Sequence, residues 1–459
     1  MSNRSIKAIL IGILGCIGLI VCAAPAQALP TFARQTGMSC AACHTVYPEL
    51  TTYGRTFKLN GYTTNNSDSL KDGADETGYR LNISNTPPIA AMLQVADVFT
   101  HAPQTGGLVA ANSDNNGTLE FPSQFSLFYA GAISPKMGAF VQFTYDSGSG
   151  SFGMDNTDIR IADRFQVANT DLVLGLTLNN NPTVQDIFNN IPAWGFPYAT
   201  GKSAITPATA SMIESLGGSV GGLGLYAFWN QLLYAEISAY RTAPQGMEAV
   251  GAPDIQGYAP YWRVALTKDF ETNSFEIGAF GMNANTYPNS GDPTLFTQNN
   301  VDDIGVDGQF QFVGKEHQLT VKGSCIWENQ KLGYSSPVTV IDPSGPTTTI
   351  SSVAANATDT FTTAKADITY YYDRKVGATV GYFTNYGSGD TGLYSTASGT
   401  PDSAGWVIEV NYVPWYNTKF SLQYTMYDKF NGSVNNYDTV PGRNASDNNT
   451  LMAMAWLMY

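Results

Sequence analysis

Apolar and polar residues alternate along most of the chain from Pro87 to the C-terminus. In residues 419–426, aromatic and aliphatic side chains alternate with Lys, Ser, Gln and Thr, and residues 406–412 repeat the pattern. Successive side chains of a β-strand point to opposite faces, so this alternation separates an apolar face from a polar one. An apolar, aromatic-rich exterior with a polar interior is typical of a transmembrane barrel strand.

The alternating segments predict sixteen strands, whose centres lie near residues 93, 126, 141, 160, 174, 226, 236, 264, 278, 307, 321, 367, 380, 409, 422 and 454. Short turns are predicted near residues 134–136, 168–169, 229–230, 269–270, 314–315, 373–374 and 416–417. Between them lie long Gly-, Asn-, Ser- and Thr-rich segments, such as residues 180–220, 329–359 and 429–448. Bacterial outer-membrane barrels combine short periplasmic turns with long external loops in this way.

The fold class is therefore mainly β: a porin-like, sixteen-stranded antiparallel transmembrane barrel. A barrel of this size has an interior wide enough for water or a plug. By the same alternation the inner wall carries charged side chains of both signs, namely Asp158, Glu236, Glu276, Asp307, Asp367 and Glu409 against Arg160, Arg263, Lys322, Lys365 and Lys419.

The first 28 residues are predicted to be a secretory signal peptide. Arg4 and Lys7 precede an apolar stretch over residues 8–21, and Ala26 and Ala28 form a small-x-small cleavage site. An uncleaved anchor and a lipidated Cys16 are the alternatives. The chain then divides into residues 1–28 (signal), 29–85 (a small N-terminal module) and 86–459 (the barrel). Cleavage removes two positive charges and makes the net charge of -14 more negative still.

Composition excludes several other classes. Only 13% of the 459 residues are charged, against about 25% in an ordinary soluble domain. Acidic residues (37) outnumber basic ones (23), which argues against nucleic acid as a partner. Five cysteines are too few for a disulfide-rich secreted domain of this length.

Residues 40–44 form a C-x-x-C-H motif, the attachment site of a c-type haem. The spacing follows from the chemistry, because two thiols add to the haem vinyl groups and the adjacent imidazole binds the iron. Cys40 and Cys43 are therefore the predicted covalent attachment points, and His44 is the predicted proximal iron ligand. One covalently bound haem c is the expected cofactor.

A zinc site and a plain disulfide are the alternatives for the two cysteines. Zinc needs a fourth ligand, usually from a second Cys/His pair. The remaining candidates in the exported chain, His101, His317 and Cys325, are widely scattered. The pentapeptide and the export signal favour haem.

The residues after the motif predict a helix that begins near Pro48 and Glu49 and ends at Gly61. Its apolar face, which we expect to cover one side of the haem, consists of Leu50, Tyr53 and Phe57. Three basic residues are candidate partners of the haem propionates, with solvated surface positions as the alternative: Arg34, Arg55 and Lys58.

The second axial iron ligand has one main candidate, Met92, which has inward parity early in the first strand. A thioether in this position raises the haem potential. The alternative is a Met that fills space inside the barrel. His101 is a poorer candidate because it lies at the far end of that strand. His317, like Cys325, has lipid-facing parity.

The segment Phe32–Cys40, with His44, Pro48–Leu50 and Phe57–Tyr62, closely resembles the outer-membrane fused monohaem cytochrome–porins of iron-oxidising bacteria. This similarity covers about 35 residues; over the barrel, only the architecture matches. The resemblance implies oxidation of extracellular Fe(II) at one haem and transfer of the electron across the outer membrane to a periplasmic carrier. Counted as an enzyme, such a protein is a one-electron, Fe(II)-oxidising cytochrome.

We expect the haem module to enter the barrel from the periplasmic side and to plug it, because an even strand number leaves both barrel ends there. Two alternatives are a solute-conducting porin with a tethered periplasmic cytochrome, and uptake of electrons from a donor other than Fe(II).

Overall fold

The computed structural model describes residues 30–64, 69–71, 82–84, 86–103, 116–147, 150–207, 209–246, 252–288, 297–333, 338–340, 348–350, 354–394, 396–438 and 442–459. The predicted signal peptide, residues 1–28, lies outside the described residues.

Sixteen long strands dominate the described chain. They are Ile89–Thr100 (β1), Gly117–Ser134 (β2), Met137–Asp146 (β3), Ser151–Val167 (β4), Thr170–Asn179 (β5), Val220–Trp229 (β6), Leu233–Thr242 (β7), Ala259–Phe270 (β8), Asn273–Tyr287 (β9), Asn299–Val313 (β10), His317–Lys331 (β11), Thr358–Tyr372 (β12), Val376–Gly387 (β13), Ser403–Trp415 (β14), Thr418–Lys429 (β15) and Thr450–Met458 (β16). Each predicted strand centre falls within one of them.

The strands form one closed antiparallel barrel, in which each pairs with the next along the chain and β16 pairs back with β1. At the closing seam Met458 lies opposite Met92, and Thr450 lies opposite Thr100. The sixteen-stranded barrel predicted from the sequence is confirmed.

Some shorter strands lie outside this ladder. Asp254–Ile255 pairs with the end of β9. Two small hairpins pair Ser69–Lys71 with Asn82–Ser84 and Val338–Val340 with Thr348–Ile350.

The turn between β8 and β9 lies two residues later than predicted. Phe270 pairs directly with Asn273, so the turn consists of residues 271–272 rather than 269–270. Asp269, in the predicted turn, is instead part of the strand and pairs with Ser274.

The two faces of the wall differ as the alternation predicts. Leu223, Leu225 and Ile237 are among many large apolar side chains exposed on the outside. The charged residues assigned to the interior are buried, apart from Lys365, which is half-buried. Because the ladder is closed, no strand edge exposes unpaired backbone groups to lipid, which is the requirement for a membrane-spanning sheet. The apolar side chains of the outer face suit contact with the lipid chains.

Among the residues that the structure describes, three short helices precede the barrel: Pro30–Thr36 (α1), Cys40–Cys43 (α2) and Thr52–Leu59 (α3). This N-terminal segment, residues 30–64, contacts inner-wall side chains. Arg55 donates to Gln311 Oε1 at 2.9 Å and to Ser274 Oγ at 2.8 Å. The Tyr62 hydroxyl donates to Asp158 Oδ2 at 2.6 Å. No helix in the described part of the chain is long and apolar enough to cross a bilayer.

The segment between β5 and β6, predicted as an external loop, folds into the barrel instead. It contains the helices Pro182–Gln185 (α4) and Met212–Ser215 (α5), and nearly all of residues 180–191 are buried. Asn190 Nδ2 donates to Glu276 Oε2 at 2.7 Å, and Met212 N donates to Glu328 Oε2 at 2.6 Å. Inner-wall carboxylates thus bind this inward loop, which we define as residues 180–219.

The assignment of the outer face can be tested with Ile237→Lys. Ile237 lies near the middle of β7 and is 64% exposed on the apolar side. A lysine at mid-bilayer depth is expected to lower the free energy of unfolding by about 2–4 kcal/mol, measured by denaturant titration in lipid vesicles. Ile237→Val is the matched control, with a change within about 1.5 kcal/mol. Equal stability of both variants would contradict the membrane-facing assignment.

Candidate functional site

The C-x-x-C-H residues form a tight turn that helix α3 holds in place. The His44 amide donates to the Cys40 carbonyl at 2.8 Å, and the Thr51 amide donates to the Cys43 carbonyl at 2.9 Å. Gly54 lies so close to this turn that an added Cβ would meet the Cys43 carbonyl oxygen at 2.2 Å. A glycine is therefore required where α3 packs on the motif.

The His44 imidazole is oriented by a backbone carbonyl. Its Nδ1 lies 3.1 Å from the Glu49 carbonyl oxygen, which only accepts, so Nδ1 carries the proton and donates. Burial lowers the pKa of His44 to about 4, although the Glu49 and Pro48 carbonyls oppose this shift. At neutral pH the ring is therefore neutral and its Nε2 lone pair is available. Metal-bound histidines are commonly held by the same kind of hydrogen bond.

A cavity joins this turn to the barrel wall and the inward loop. From the N-terminal segment it is lined by Phe32, Cys40, Cys43, His44, Leu50, Tyr53 and Phe57. From the barrel and the inward loop it is lined by Met92, Phe128, Phe140, Ile187, Trp194, Trp456 and Met458.

The predicted axial candidate Met92 lines the same cavity as His44. Its sulfur lies 3.9 Å from Gln94 Nε2. Met458, its neighbour across the closing seam, lines the cavity too, and so does Met38. Met458 was not among the predicted ligands. It follows the outward-facing Leu457 in β16, so the alternation along that strand already gave it an inward-facing position. Two methionines of adjacent strands thus present thioethers to the cavity.

The other two histidines lie away from this cavity. His317 is exposed on the outer face, where its Nδ1 lies 2.7 Å from the Tyr370 hydroxyl. His101 is exposed just beyond the far end of β1.

Of the three basic residues predicted to meet the propionates, Lys58 lines the cavity. Its ammonium donates to the Val184 carbonyl of the inward loop. Arg34 is directed to the Ile89 carbonyl at 2.6 Å, and Arg55 to the inner wall beyond α3. Neither arginine is among the residues that line the cavity.

The helix after the motif begins later than predicted. Thr51 is its N-cap, accepting from the Gly54 amide at 3.2 Å, so Pro48 and Glu49 precede the helix. Glu49 is instead fully buried and pairs with Lys322 of β11 at 2.7 Å. The predicted C-terminal residue Gly61 follows the cap Asn60 and adopts φ +71°. Leu50 also precedes the helix, so of the predicted apolar face only Tyr53 and Phe57 lie on it, although all three residues line the cavity.

Within the described ranges, no three His, Cys, Asp or Glu side chains cluster as ligands for a single metal ion. The zinc alternative would require such a cluster around the two cysteines. Burial and the neighbouring Cys40 raise the pKa of the Cys43 thiol to about 11.

Comparison with known proteins finds no matching family model and no matching curated protein. Among solved structures, the chain is similar to a loop-deletion mutant of OmpT, an outer-membrane protein of Vibrio cholerae, with 10% identity, a TM-score of 0.45, and coverage of 81% of this chain and 98% of that one. The outer-membrane channel DcaP of Acinetobacter baumannii gives 13% identity, a TM-score of 0.44, and coverage of 85% and 100%. An anion-selective porin from Comamonas acidovorans gives 9% identity and a TM-score of 0.44, with coverage of 81% of this chain and 98% of that one.

The buried Lys58 predicts that the stability of the folded state depends on pH. Burial lowers its pKa from 10.5 to about 8; Arg160 adds to this, whereas Asp158, Asp186 and Glu236 oppose it. The folded protein therefore releases this proton at a lower pH than the unfolded chain does. The folded state gains stability from the neutral amine as the pH rises from about 8 to about 10.5.

In Lys58→Met this gain is expected to disappear, a difference of at most about 3 kcal/mol across the window. Denaturant titrations at a series of pH values measure it. The exposed Lys136→Met is the control and is expected to follow the wild type. Parallel curves for Lys58→Met and wild type would contradict the assignment.

Proposed function

We propose that the chain is an outer-membrane electron-transfer protein, in which one covalently bound c-type haem accepts electrons from extracellular Fe(II). The electrons then pass to a carrier in the periplasm. The identity of the donor follows from the resemblance of residues 32–62 to the cytochrome–porins of iron oxidisers. The C-x-x-C-H motif and the cavity support the haem, and the barrel around the cavity supports a route across the membrane.

One observation carries this proposal: a single cavity joins the two thiols and the imidazole of the motif to thioether side chains of the barrel wall. A haem c needs two cysteines for attachment and one imidazole, and a second axial ligand completes its iron. His44 is already oriented for this role by the Glu49 carbonyl. The donor set therefore suits the group.

In this proposal each residue has a defined task. Cys40 and Cys43 would hold the haem by thioether bonds, and His44 and Met92 would be the ligands of its iron. Once bound, the haem supplies an iron that gains and loses one electron at a time. The aromatic side chains that line the cavity would pack against the apolar faces of the haem.

The periplasmic partner is expected to dock at the short-turn end. Met38 and Tyr53 line the cavity and are 38% and 39% exposed, so the cavity reaches the surface of the N-terminal segment. This segment contacts the short-turn end of the barrel. Arg374, in the turn between β12 and β13, donates to the Ala41 carbonyl at 2.9 Å, and Thr52 donates to Asp269, near the end of β8, at 2.8 Å. Short turns are periplasmic in bacterial barrels.

We further propose that residues 30–64 act as a plug, together with the inward loop. Their contacts extend around the wall: Thr31 donates to the Ala130 carbonyl at 2.9 Å, and Tyr226 donates to the Leu59 carbonyl at 2.7 Å. Lys58 links the two segments through Val184. Planar-bilayer recordings should therefore show little solute conductance; large, open-channel currents would favour the solute-porin alternative.

The function is tested by anaerobic addition of Fe(II) to the oxidised protein in detergent, followed in the haem absorption bands. We expect reduction by one equivalent per chain. Cys325→Ser, outside the motif, should behave as the wild type, whereas Cys40→Ser with Cys43→Ser should give no response. Haem that stays oxidised at every pH where Fe(II) is soluble would remove iron as the donor and leave the haem assignment standing.

The axial ligand is tested by Met92→Leu, with Met458→Leu as the matched control. Leucine keeps the volume and removes the sulfur, so stability should change by less than about 1.5 kcal/mol in both. Met92→Leu is expected to convert the ferric haem from low spin to high spin and to lower its reduction potential. The same conversion in Met458→Leu alone would assign the ligand to β16 instead.

A further inference from the structure

Three buried hydrogen-bond donors beside the cavity have no acceptor. They are the Tyr47 hydroxyl, the Trp456 indole N–H and the Lys419 ammonium, which are 7%, 5% and 1% exposed as residues. Leaving one buried donor unsatisfied costs about 1–3 kcal/mol, and more for a charged group. The Lys419 ammonium has the carboxylates of Glu409 and Glu49 as charged neighbours. The Tyr47 hydroxyl and the Trp456 indole are left without an acceptor among the described residues, and these two neutral donors point to an acceptor that is not part of the polypeptide.

The three groups are close neighbours. The rings of Tyr47 and Trp456 meet edge to face, with centroids 5.2 Å apart. Lys419 Nζ lies 4.5 Å from the centroid of Trp456 and 5.5 Å from that of Tyr47. Tyr47 and Trp456 both line the cavity, and Lys419 is not among its lining residues. The group therefore combines two neutral donors, each on a residue that lines the cavity, with a neighbouring positive charge.

An anionic oxygen acceptor suits this arrangement. A carboxylate accepts hydrogen bonds at both oxygens, and a nearby ammonium stabilises its charge in a medium of low dielectric constant. Haem carries two propionate carboxylates, and two of the basic residues first considered for them are engaged elsewhere. Arg34 donates to Ile89, and Arg55 donates to the inner wall.

We propose that the Tyr47 hydroxyl and the Trp456 indole bind one haem propionate, with Lys419 as its counter-charge. This inference rests on the proposed function, because it requires the haem. Tyr47 belongs to the N-terminal segment, whereas Lys419 and Trp456 belong to β15 and β16. The propionate would therefore link the N-terminal segment to the barrel wall on the side of the closing seam.

The test uses Trp456→Phe and Tyr47→Phe, each of which removes one donor and keeps the ring. Tyr198→Phe is the matched control: its ring also lies near Lys419, at 4.9 Å, but its hydroxyl is already bonded to Thr369 Oγ1 at 2.6 Å. Two properties are measured on the full-length holoprotein in detergent above neutral pH: the haem reduction potential and the propionate bending band in the resonance Raman spectrum.

Both donor variants are expected to shift the propionate band and to lower the potential, because a less compensated carboxylate stabilises the ferric iron. Tyr198→Phe should change neither. If band and potential stay at wild-type values in both donor variants, the inference is wrong. A shift in only one variant that folds assigns the contact to that donor alone and overturns the two-donor site.

Results that contradict the proposed function differ from those that contradict the propionate site. Wild-type protein without covalent haem would remove both proposals. Haem that Fe(II) does not reduce would remove the donor and leave the propionate measurement intact.

Discussion

The closed ladder of backbone hydrogen bonds is the constraint on which the rest of the structure depends. In lipid an unpaired N–H or C=O has no water to bind, so the sheet has to return on itself, as it does where β16 pairs with β1. Closure then separates an apolar exterior from a polar interior, and it places Met92 beside Met458 on the inside. The chemistry we propose uses this interior, although none of it is required for closure.

A polar interior has to satisfy its own charges. Arg263 meets Asp307 at 2.7 Å, and Lys322 meets Glu49 of the N-terminal segment at 2.7 Å. The N-terminal segment and the inward loop thus supply partners that wall residues need, and the wall orients both segments. The cavity lies where all three parts meet. Its aromatic side chains thus come from all three parts and form an apolar lining within a barrel wall that is otherwise polar.

Much of this fold was predictable because lipid imposes a strict period of two on each strand. All sixteen centres, the inner charged residues and the position of the C-x-x-C-H motif followed from local pattern. The inward path of residues 180–219 did not, since Gly, Asn and Pro mark a loop without indicating its side. Buried apolar residues such as Ile187, Phe188 and Ile191 were the available signal. Tyr47 and Trp456 were missed because orphaned donors become visible only once burial is known.

The central claim is that an iron porphyrin is covalently attached inside the barrel by the residues of the N-terminal turn. Its most direct test is mass spectrometry of the protein after denaturation and proteolysis. The account predicts that the peptide containing Cys40 and Cys43 carries the mass of one haem, and that the peptide containing Cys325 carries none. Recovery of the first peptide with two unmodified or disulfide-linked cysteines, from protein isolated from its own outer membrane, would contradict the account.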